Sequence, residues 1–172
     1  KPSINWKGKT ASYYRTSESA TKGIKGINFP YTLWYNHYIW NESDPLNEHA
    51  ELSFRLNDKQ TSAIIVTDSR QSDLKDLENI VIKNAKESGF EKAKVISIEK
   101  RKVNNSDVVF THWKATLRGV PVDFLSYLYS DPRGSVYIHT YTPSTSFAKN
   151  HEQMEIFLNG LNIEKDSREP QP

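Results

Sequence analysis

The sequence contains no cysteine, few glycines and no long apolar run. Without cysteine, the chain has no disulfide, no thiolate metal site and no cysteine nucleophile. Seven glycines leave little material for phosphate-binding loops, and neither a Gly-x-Ser-x-Gly elbow nor a dinucleotide fingerprint occurs. The longest apolar run, Ala63 to Val66, is far shorter than the roughly 20 residues that a membrane-spanning helix needs. The sequence therefore predicts no transmembrane segment and none of these catalytic motifs.

The charge balance gives little reason to expect a nucleic-acid partner. The formal net charge is only +2, and the basic residues are spread along the chain. A length of 172 residues with 36% hydrophobic and 26% charged residues predicts one polar globular domain. The missing cysteine and a first residue that is not methionine fit a mature exported bacterial protein, in the periplasm or envelope, whose lipid-anchored start was removed. A trimmed cytosolic chain is the alternative.

The two ends of the chain differ in composition from its middle. Residues 1–25 are basic and turn-rich, and they predict a loosely ordered arm with one short strand near Ala11 to Arg15. Residues 164–172 are charged and contain proline, which predicts a disordered tail. The sequence thus places a single folded domain at residues 26–163.

An antiparallel meander of four strands is expected between Lys94 and Thr142. Three turns separate the strands, at Asn104-Asn105-Ser106-Asp107, at Arg118-Gly119 and at Asp131-Pro132-Arg133-Gly134. Both faces of these strands are partly apolar, which is typical of a sheet that is covered on each side.

A hairpin and two helices complete the predicted elements. Alternating apolar residues from Ala50 to Leu56, followed by a return from Thr61 to Thr67, predict the hairpin. Apolar residues spaced three and four apart predict a helix over Ser72 to Ser88, capped by Ser72 and ended by Gly89. The last helix is expected from Ser146 to Asn159. The fold class is therefore α+β, an α/β/α sandwich with a mainly antiparallel sheet.

This order of elements resembles the PsbP-like family. The local similarity is the segment Gly26-Ile27-Asn28-Phe29-Pro30-Tyr31-Thr32-Leu33-Trp34, which looks like the extended segment, proline and tryptophan that open the domain in small exported bacterial members. The resemblance covers roughly residues 26–161. It implies the α/β/α fold shared with a photosystem subunit and a Ran-binding protein of the Mog type, and it implies an accessory or binding protein rather than an enzyme.

The segment from Phe29 to Trp40 has the most unusual composition, since six of its twelve residues are aromatic. These rings either cover one end of the sheet, which the need of a small domain for a core favours, or form a platform for a sugar, a cation or a peptide. The candidate ligand-binding residues of the platform are Tyr31, Trp34, Tyr35 and Tyr38. Tyr137, His139 and Tyr141 form a second candidate stripe on the last meander strand, and a covered sheet face is its alternative.

A metal site is the one catalytic possibility that the sequence offers. No cofactor is expected, but His49 and Glu51 are expected to point the same way from one strand, and His112 or His139 on the meander would complete a site for a divalent metal such as zinc. A chance surface pair is the alternative. The segment His151-Glu152-Gln153-Met154-Glu155 resembles a zincin helix but has Glu155 in place of the second histidine.

The preferred hypothesis is a non-enzymatic exported module that binds a protein or an envelope component. A metal-dependent hydrolase using the His/Glu cluster is the alternative from a different class. A Ran-type regulator is a third, which the basic first residues disfavour because such a regulator needs an acidic or mixed contact face.

Overall fold

The computed structural model describes residues 10–166, which form two helices and eleven strands in two sheets. The helices are α1 (Leu77–Glu87) and α2 (Phe147–Leu158). The strands are β1 (Ala11–Tyr13), β2 (Lys22–Lys25), β3 (Tyr31–Tyr35), β4 (Trp40–Glu42), β5 (Leu52–Leu56), β6 (Ser62–Asp68), β7 (Glu91–Val103), β8 (Ser106–Leu117), β9 (Val120–Asp131), β10 (Gly134–Pro143) and β11 (Leu161–Ile163). No helix within residues 10–166 is long and apolar enough to cross a membrane.

Eight of the strands form one large sheet, in the order β1-β7-β8-β9-β10-β6-β5-β4. Strands β7 to β10 are the predicted meander, and all their pairings are antiparallel. The hairpin β5–β6 joins them through β10, so β6 lies inside the sheet. Only β1 pairs in parallel, with the end of β7. The predicted fold class is confirmed.

One face of the large sheet, here called the closed face, is covered by α2 and by a small sheet of order β11-β3-β2. Alternate residues of β3 point into this core: Tyr31, Leu33 and Tyr35 are buried. Gly160 lets α2 end against β3, because a Cβ there would lie 1.7 Å from the Trp34 carbonyl oxygen. The closed face is the larger of the two cores.

The opposite face, here called the open face, is covered by α1 alone. Leu77, Val81 and Ala85 lie on the buried side of α1, as their spacing predicts, and pack against the sheet. Gly89 ends the helix with a positive φ of 85°. The face also carries Trp113 on β8 and Phe124 on β9. Because α1 spans only eleven residues, it leaves part of this face of the sheet uncovered.

The start of α1 differs from the prediction. A short 3-10 turn, Leu74–Asp76, precedes the helix, and Asp73 caps this turn by accepting a hydrogen bond from the Lys75 N–H. The Ser72 hydroxyl instead contacts β10, 2.9 Å from Ser135 Oγ and 2.5 Å from the Tyr137 hydroxyl. Because the Ser72 hydroxyl makes these hydrogen bonds to β10, it does not cap the helix.

The first residues are more integrated than the sequence indicates. Residues 10–25 contribute β1, which pairs with β7, and β2, which pairs with β3. Asn104, which follows β7, fixes the segment between β1 and β2 by accepting a hydrogen bond from the Arg15 N–H. The short strand predicted near Ala11 to Arg15 is confirmed as β1. The loosely ordered arm is a wrong prediction for residues 10–25, because backbone pairing there does not depend on apolar side chains. Residues 1–9 of the predicted arm and residues 167–172 of the predicted tail lie outside the described residues.

Candidate functional site

A groove of about 750 Å³ lies on the open face, between α1 and the loop that contains Leu46 and His49. Its floor is formed by strands β8, β9, β10 and β6, and Ile80 of α1 forms part of one wall. The hairpin tip at Leu117 and Arg118 borders one end. A volume of this size is within the range of about 300 to 1,000 Å³ that is usual for small-molecule sites.

Aromatic rings line one part of the floor in a cross-strand row. The strand register places Trp113 opposite Phe124, and Phe124 opposite Tyr141. Trp113 stacks on Phe124 with centroids 3.6 Å apart, and Tyr141 stacks on Phe124 at 5.2 Å. Phe90, just after α1, meets Phe124 edge-on at 5.0 Å. Tyr141 and Phe90 are only half-buried, so their rings are open to a ligand.

His139 lies at the centre of the floor and is held in one tautomer. Trp113 Nε1–H donates to Ser126 Oγ at 3.0 Å, and Ser126 Oγ lies 2.7 Å from His139 Nδ1. The buried Ser126 hydroxyl has no second acceptor among the described residues, so it donates to Nδ1. The ring proton is therefore on Nε2. Burial lowers the pKa of His139 to about 4, so the ring is neutral at pH 7.

Hydroxyl groups gather at the other end of the groove. Ser72 Oγ, Ser135 Oγ and the Tyr137 hydroxyl are linked by hydrogen bonds of 2.9 and 2.5 Å. Ser130 Oγ lies 2.9 Å from Ser135 Oγ and accepts from the Ser72 N–H at 2.8 Å. Serine and tyrosine hydroxyls both donate and accept, so this end suits the polar part of a ligand.

The rim of the groove carries one excess positive charge. Arg70 is paired with Asp68 at 2.9 Å, and Lys83 with Glu87 at 4.0 Å. Arg118 has no ion pair with any residue from 10 to 166. This imbalance favours a neutral or anionic ligand over a cationic one.

The aromatic segment from Phe29 to Trp40 does not form the predicted platform. Tyr31 and Tyr35 are buried in the closed face, together with Phe29 and Trp40. Trp34 is half-buried beneath Arg15, whose guanidinium carbon is 4.3 Å from the ring centroid. Tyr38 is the only ring of the segment with a large exposed fraction, 70%. A contact surface of contiguous exposed rings is therefore absent from this segment, and four of its six rings belong to the core.

The second predicted stripe lies together in the groove. Tyr137, His139 and Tyr141 point to the same face of β10 and all line the floor. Tyr137 is 8% exposed, so its hydroxyl rather than its ring is the accessible part. The structure thus brings this set of candidates to one concave surface, where their role in binding remains a prediction.

The proposed metal ligands are not brought together. Glu51 turns towards the closed face, where it accepts hydrogen bonds from the Tyr31 and Thr67 hydroxyls, both at 2.7 Å, and from the Ile27 N–H at 2.9 Å. His49 is exposed at the groove wall on the other side, and its Nε2 lies 3.4 Å from Glu48 Oε1. The expectation that His49 and Glu51 point the same way is wrong, since both precede the first residue of β5, Leu52.

The meander histidines lie on opposite faces. His112 packs on the closed side, where its Nε2 is 2.7 Å from Asp123 Oδ2 and its ring stacks on Phe147 at 4.9 Å. His139 faces the groove. Within residues 10–166 there is no group of three or more His, Asp or Glu side chains that could hold a metal ion.

Two other polar clusters also lack the geometry of a catalytic site. Ser144 Oγ donates to Asp123 Oδ1 at 2.5 Å, while Asp123 Oδ2 faces His112, so the carboxylate separates serine from histidine. Serine and histidine are in contact at Ser126 and His139, but Ser126 is 4% exposed and also bound to Trp113. A substrate cannot reach that hydroxyl without displacing the ring that covers it.

Sequence reasoning missed several residues of the groove. The sequence assigns Ser72 only a capping role, and no pattern in it singles out Phe90 or Leu46. Strand alternation places Trp113 on one face with Thr111, and Phe124 on one face with Ser126. Only the register of β8, β9 and β10 shows that these faces make one aromatic row.

Comparisons with known proteins support the fold. No protein-family model and no curated protein matches the chain. Cyanobacterial PsbP (CyanoP) from Synechocystis sp. PCC 6803 superimposes with a TM-score of 0.65 at 11% identity, over 85% of this chain and 94% of that one. The Ran-binding protein Mog1p of Saccharomyces cerevisiae gives 0.55 at 12% identity, over 84% and 96%. A Bacteroides thetaiotaomicron protein gives 0.51 at 14% identity, over 88% of this chain and 50% of that one. The chain therefore has the PsbP-like fold.

Proposed function

We propose that this PsbP-like domain is a non-enzymatic binding module whose ligand occupies the groove on the open face. The observation that carries the proposal is the concave, partly uncovered floor of about 750 Å³, with half-buried rings at one end and hydroxyl groups at the other. Apolar walls with a few convergent polar groups are the usual composition of a ligand site.

The ligand is proposed to be a cell-envelope component or part of a partner protein, and the protein is proposed to be extracytoplasmic, as a lipoprotein or a periplasmic protein. A binding role is supported by the fold neighbour that is named for binding Ran, although 12% identity transfers no contact residue. The nearly balanced rim charges support an uncharged or weakly anionic ligand rather than nucleic acid.

A hydrolase using His49, Glu51 and His112 has no geometric support in the described chain. Glu51 is occupied by three donors, and His112 is on the other side of the sheet from the groove. The hypothesis of a Ran-type regulator is supported by the similarity of the fold alone.

The test is native mass spectrometry after incubation with an envelope extract of the source cells. We expect the purified domain to retain a discrete ligand. Val66→Trp and Ile80→Trp, which place an indole in the groove from β6 and from α1, should each lower the retained fraction at least tenfold. Ile156→Trp is the matched control, because Ile156 is exposed on α2, on the far side of the molecule.

Thermal unfolding of the three variants shows whether each one is folded. Equal ligand retention in the groove variants and in Ile156→Trp, with all of them folded, would contradict the proposed site.

A further inference from the structure

His139 presents an unused hydrogen-bond donor to the groove. Its Nδ1 accepts from Ser126, so the proton is on Nε2, and no described residue has a hydrogen bond to Nε2. Trp113 completes the support by donating to Ser126 at 3.0 Å. The donor is therefore oriented before any ligand arrives, which lowers the entropic cost of binding an acceptor.

Among residues 10–166, one charged side chain of the groove lining has no ion pair, and it is a hydrogen-bond donor like His139. Asp68 and Glu87, the two acidic residues of the lining, are engaged by Arg70 and Lys83. Arg118, on the tip of the β8–β9 hairpin, is left without an ion pair among residues 10–166. The unused donor of His139 complements a ligand that accepts hydrogen bonds. Arg118 lies at the hairpin tip next to Val120, six positions of β9 and roughly 20 Å from Ser126, the strand partner of His139, so it favours a negatively charged ligand only at long range.

The surface beside His139 is apolar and aromatic. Tyr141, two residues further along β10, and Phe90 after α1 meet at 6.1 Å, and each ring is half-buried. A flat apolar group lying there would remove these rings from water and gain roughly 25 cal/mol per Å² of apolar area buried.

We infer that the ligand of the groove is a small carboxylic acid with an apolar, preferably aromatic, body, whose carboxylate accepts the Nε2–H of His139 while its body lies over Tyr141 and Phe90. This inference rests on the proposed function and specifies the ligand of the same site. A free small acid is assigned because the groove has a volume of about 750 Å³, within the range of about 300 to 1,000 Å³ that is usual for small-molecule sites.

His139 is the residue that decides affinity, and Arg118 has a smaller role. A hydrogen bond to a charged group in a partly buried site is worth about tenfold to a hundredfold in affinity. Arg118 is exposed on a turn, where solvent and salt screen its attraction. Its expected effect is on the association rate and on salt dependence.

The experiment uses three probes that share one body: 2-naphthylacetate, 2-naphthylacetamide and 2-(2-naphthyl)ethylamine. Calorimetric titration of the full chain at pH 7 should give the order acid, amide, amine, with the acid at least tenfold tighter than the amide. Chemical-shift changes in the amide spectrum should map the acid to β10 and α1.

Variants at His139 separate the contribution of the Nε2–H donor to affinity from the contribution of the surrounding apolar surface. His139→Phe should remove most of the preference for acid over amide, whereas His139→Gln, which keeps an amide donor, should retain part of it. Arg118→Gln should change the dissociation constant less than threefold at 0.15 M salt. His151→Phe is the control, since His151 lies on α2 beside Phe147 and away from the groove.

Each outcome has a defined meaning. Equal affinity for acid and amide, or an unchanged preference in a folded His139→Phe, overturns the inference. If no probe binds while the envelope ligand is still retained and is lost in Val66→Trp, the ligand class is wrong and the proposed function stands. If the envelope ligand is also insensitive to Val66→Trp, the proposed function fails together with the inference.

Discussion

The two faces of the large sheet carry similar residues but differ in how they are covered. Each has a meander histidine and a cluster of aromatic rings. On the closed face α2 and the small sheet cover the rings, and His112 Nε2 is bound to Asp123 Oδ2 at 2.7 Å. On the open face α1 covers only part of the floor, so one nitrogen of His139 reaches the groove. The covering elements, and not the residue types, therefore decide which aromatic cluster is accessible from solvent.

The first prediction contrasts the stability of the two clusters. Phe54 is fully buried on the closed face, 4.8 Å from Tyr35 and 5.3 Å from Phe157 in centroid distance. Phe54→Ala should lower the free energy of unfolding by about 3 to 5 kcal/mol. Tyr141→Ala on the open face should cost less than about 2 kcal/mol, because its ring is only partly buried. Urea denaturation measures both, and equal losses would remove the contrast.

The second prediction concerns acid sensitivity on the open face. Burial lowers the pKa of His139 from 6.5 to about 4, so the unfolded chain takes up a proton first as the pH falls. The contribution of this neutral ring to the free energy of unfolding is fully present above pH 6.5 and is lost as the pH falls towards 4. The stability difference between wild type and His139→Phe should therefore change by about 3 kcal/mol across that window.

The measurement for His139 is urea denaturation at intervals from pH 7 to pH 4. His151→Phe provides the control and should follow the wild type. Hydrogen bonds also lower the pKa values of Asp58, Asp68 and Asp131, but these carboxyl groups titrate at lower pH and are common to all variants. A pH-independent difference between wild type and His139→Phe would show that the ring is not held neutral.

The third prediction assigns Glu51 to the closed face as a structural acceptor. Glu51→Ala leaves the hydroxyls of Tyr31 and Thr67 without their acceptor, and it should cost about 2 kcal/mol of unfolding free energy. Glu51→Gln should cost less, since its carbonyl still accepts from Tyr31 and its amide can donate to Thr67. Thermal and urea unfolding compare the two variants. If neither Glu51→Ala nor Glu51→Gln lowers the free energy of unfolding, the carboxylate does not link β3 to β6.

The smallest effect is expected from zinc. Because His49, Glu51 and His112 engage separate partners, titration of the domain with zinc chloride should release no heat beyond dilution. His49→Ala should behave identically. A stoichiometric heat that this substitution abolishes would restore the metal site and with it the enzymatic alternative.

The sequence predicted the large sheet well because its signals are local. The meander turns at Arg118-Gly119 and Asn104-Asn105 adopt positive φ angles, which Gly119 and the two asparagines favour, and the strands between them alternate. The small sheet was missed because β2, β3 and β11 have only three to five residues each and come from distant parts of the chain. Their pairing depends on contacts that no local pattern encodes.

The candidate site was only partly predictable for the same reason. Tyr137, His139 and Tyr141 follow from alternation on one strand. The aromatic segment around Tyr35 misled because a buried core strand and an exposed platform have the same composition. What separates them is coverage by α2, and Phe157 of that helix lies more than a hundred positions further along the chain.

The most direct test of the central claim is photo-crosslinking from the two sides of the molecule. Benzoylphenylalanine is placed at Gln71, exposed at the rim of the groove, or at Ile156, exposed on α2, and the domain is irradiated in envelope extract. Intact-mass spectrometry should find one discrete adduct from position 71 that excess extract ligand suppresses, and none from position 156. The same adducts from both positions, or an adduct from position 156 alone, would contradict the assignment of binding to the open face.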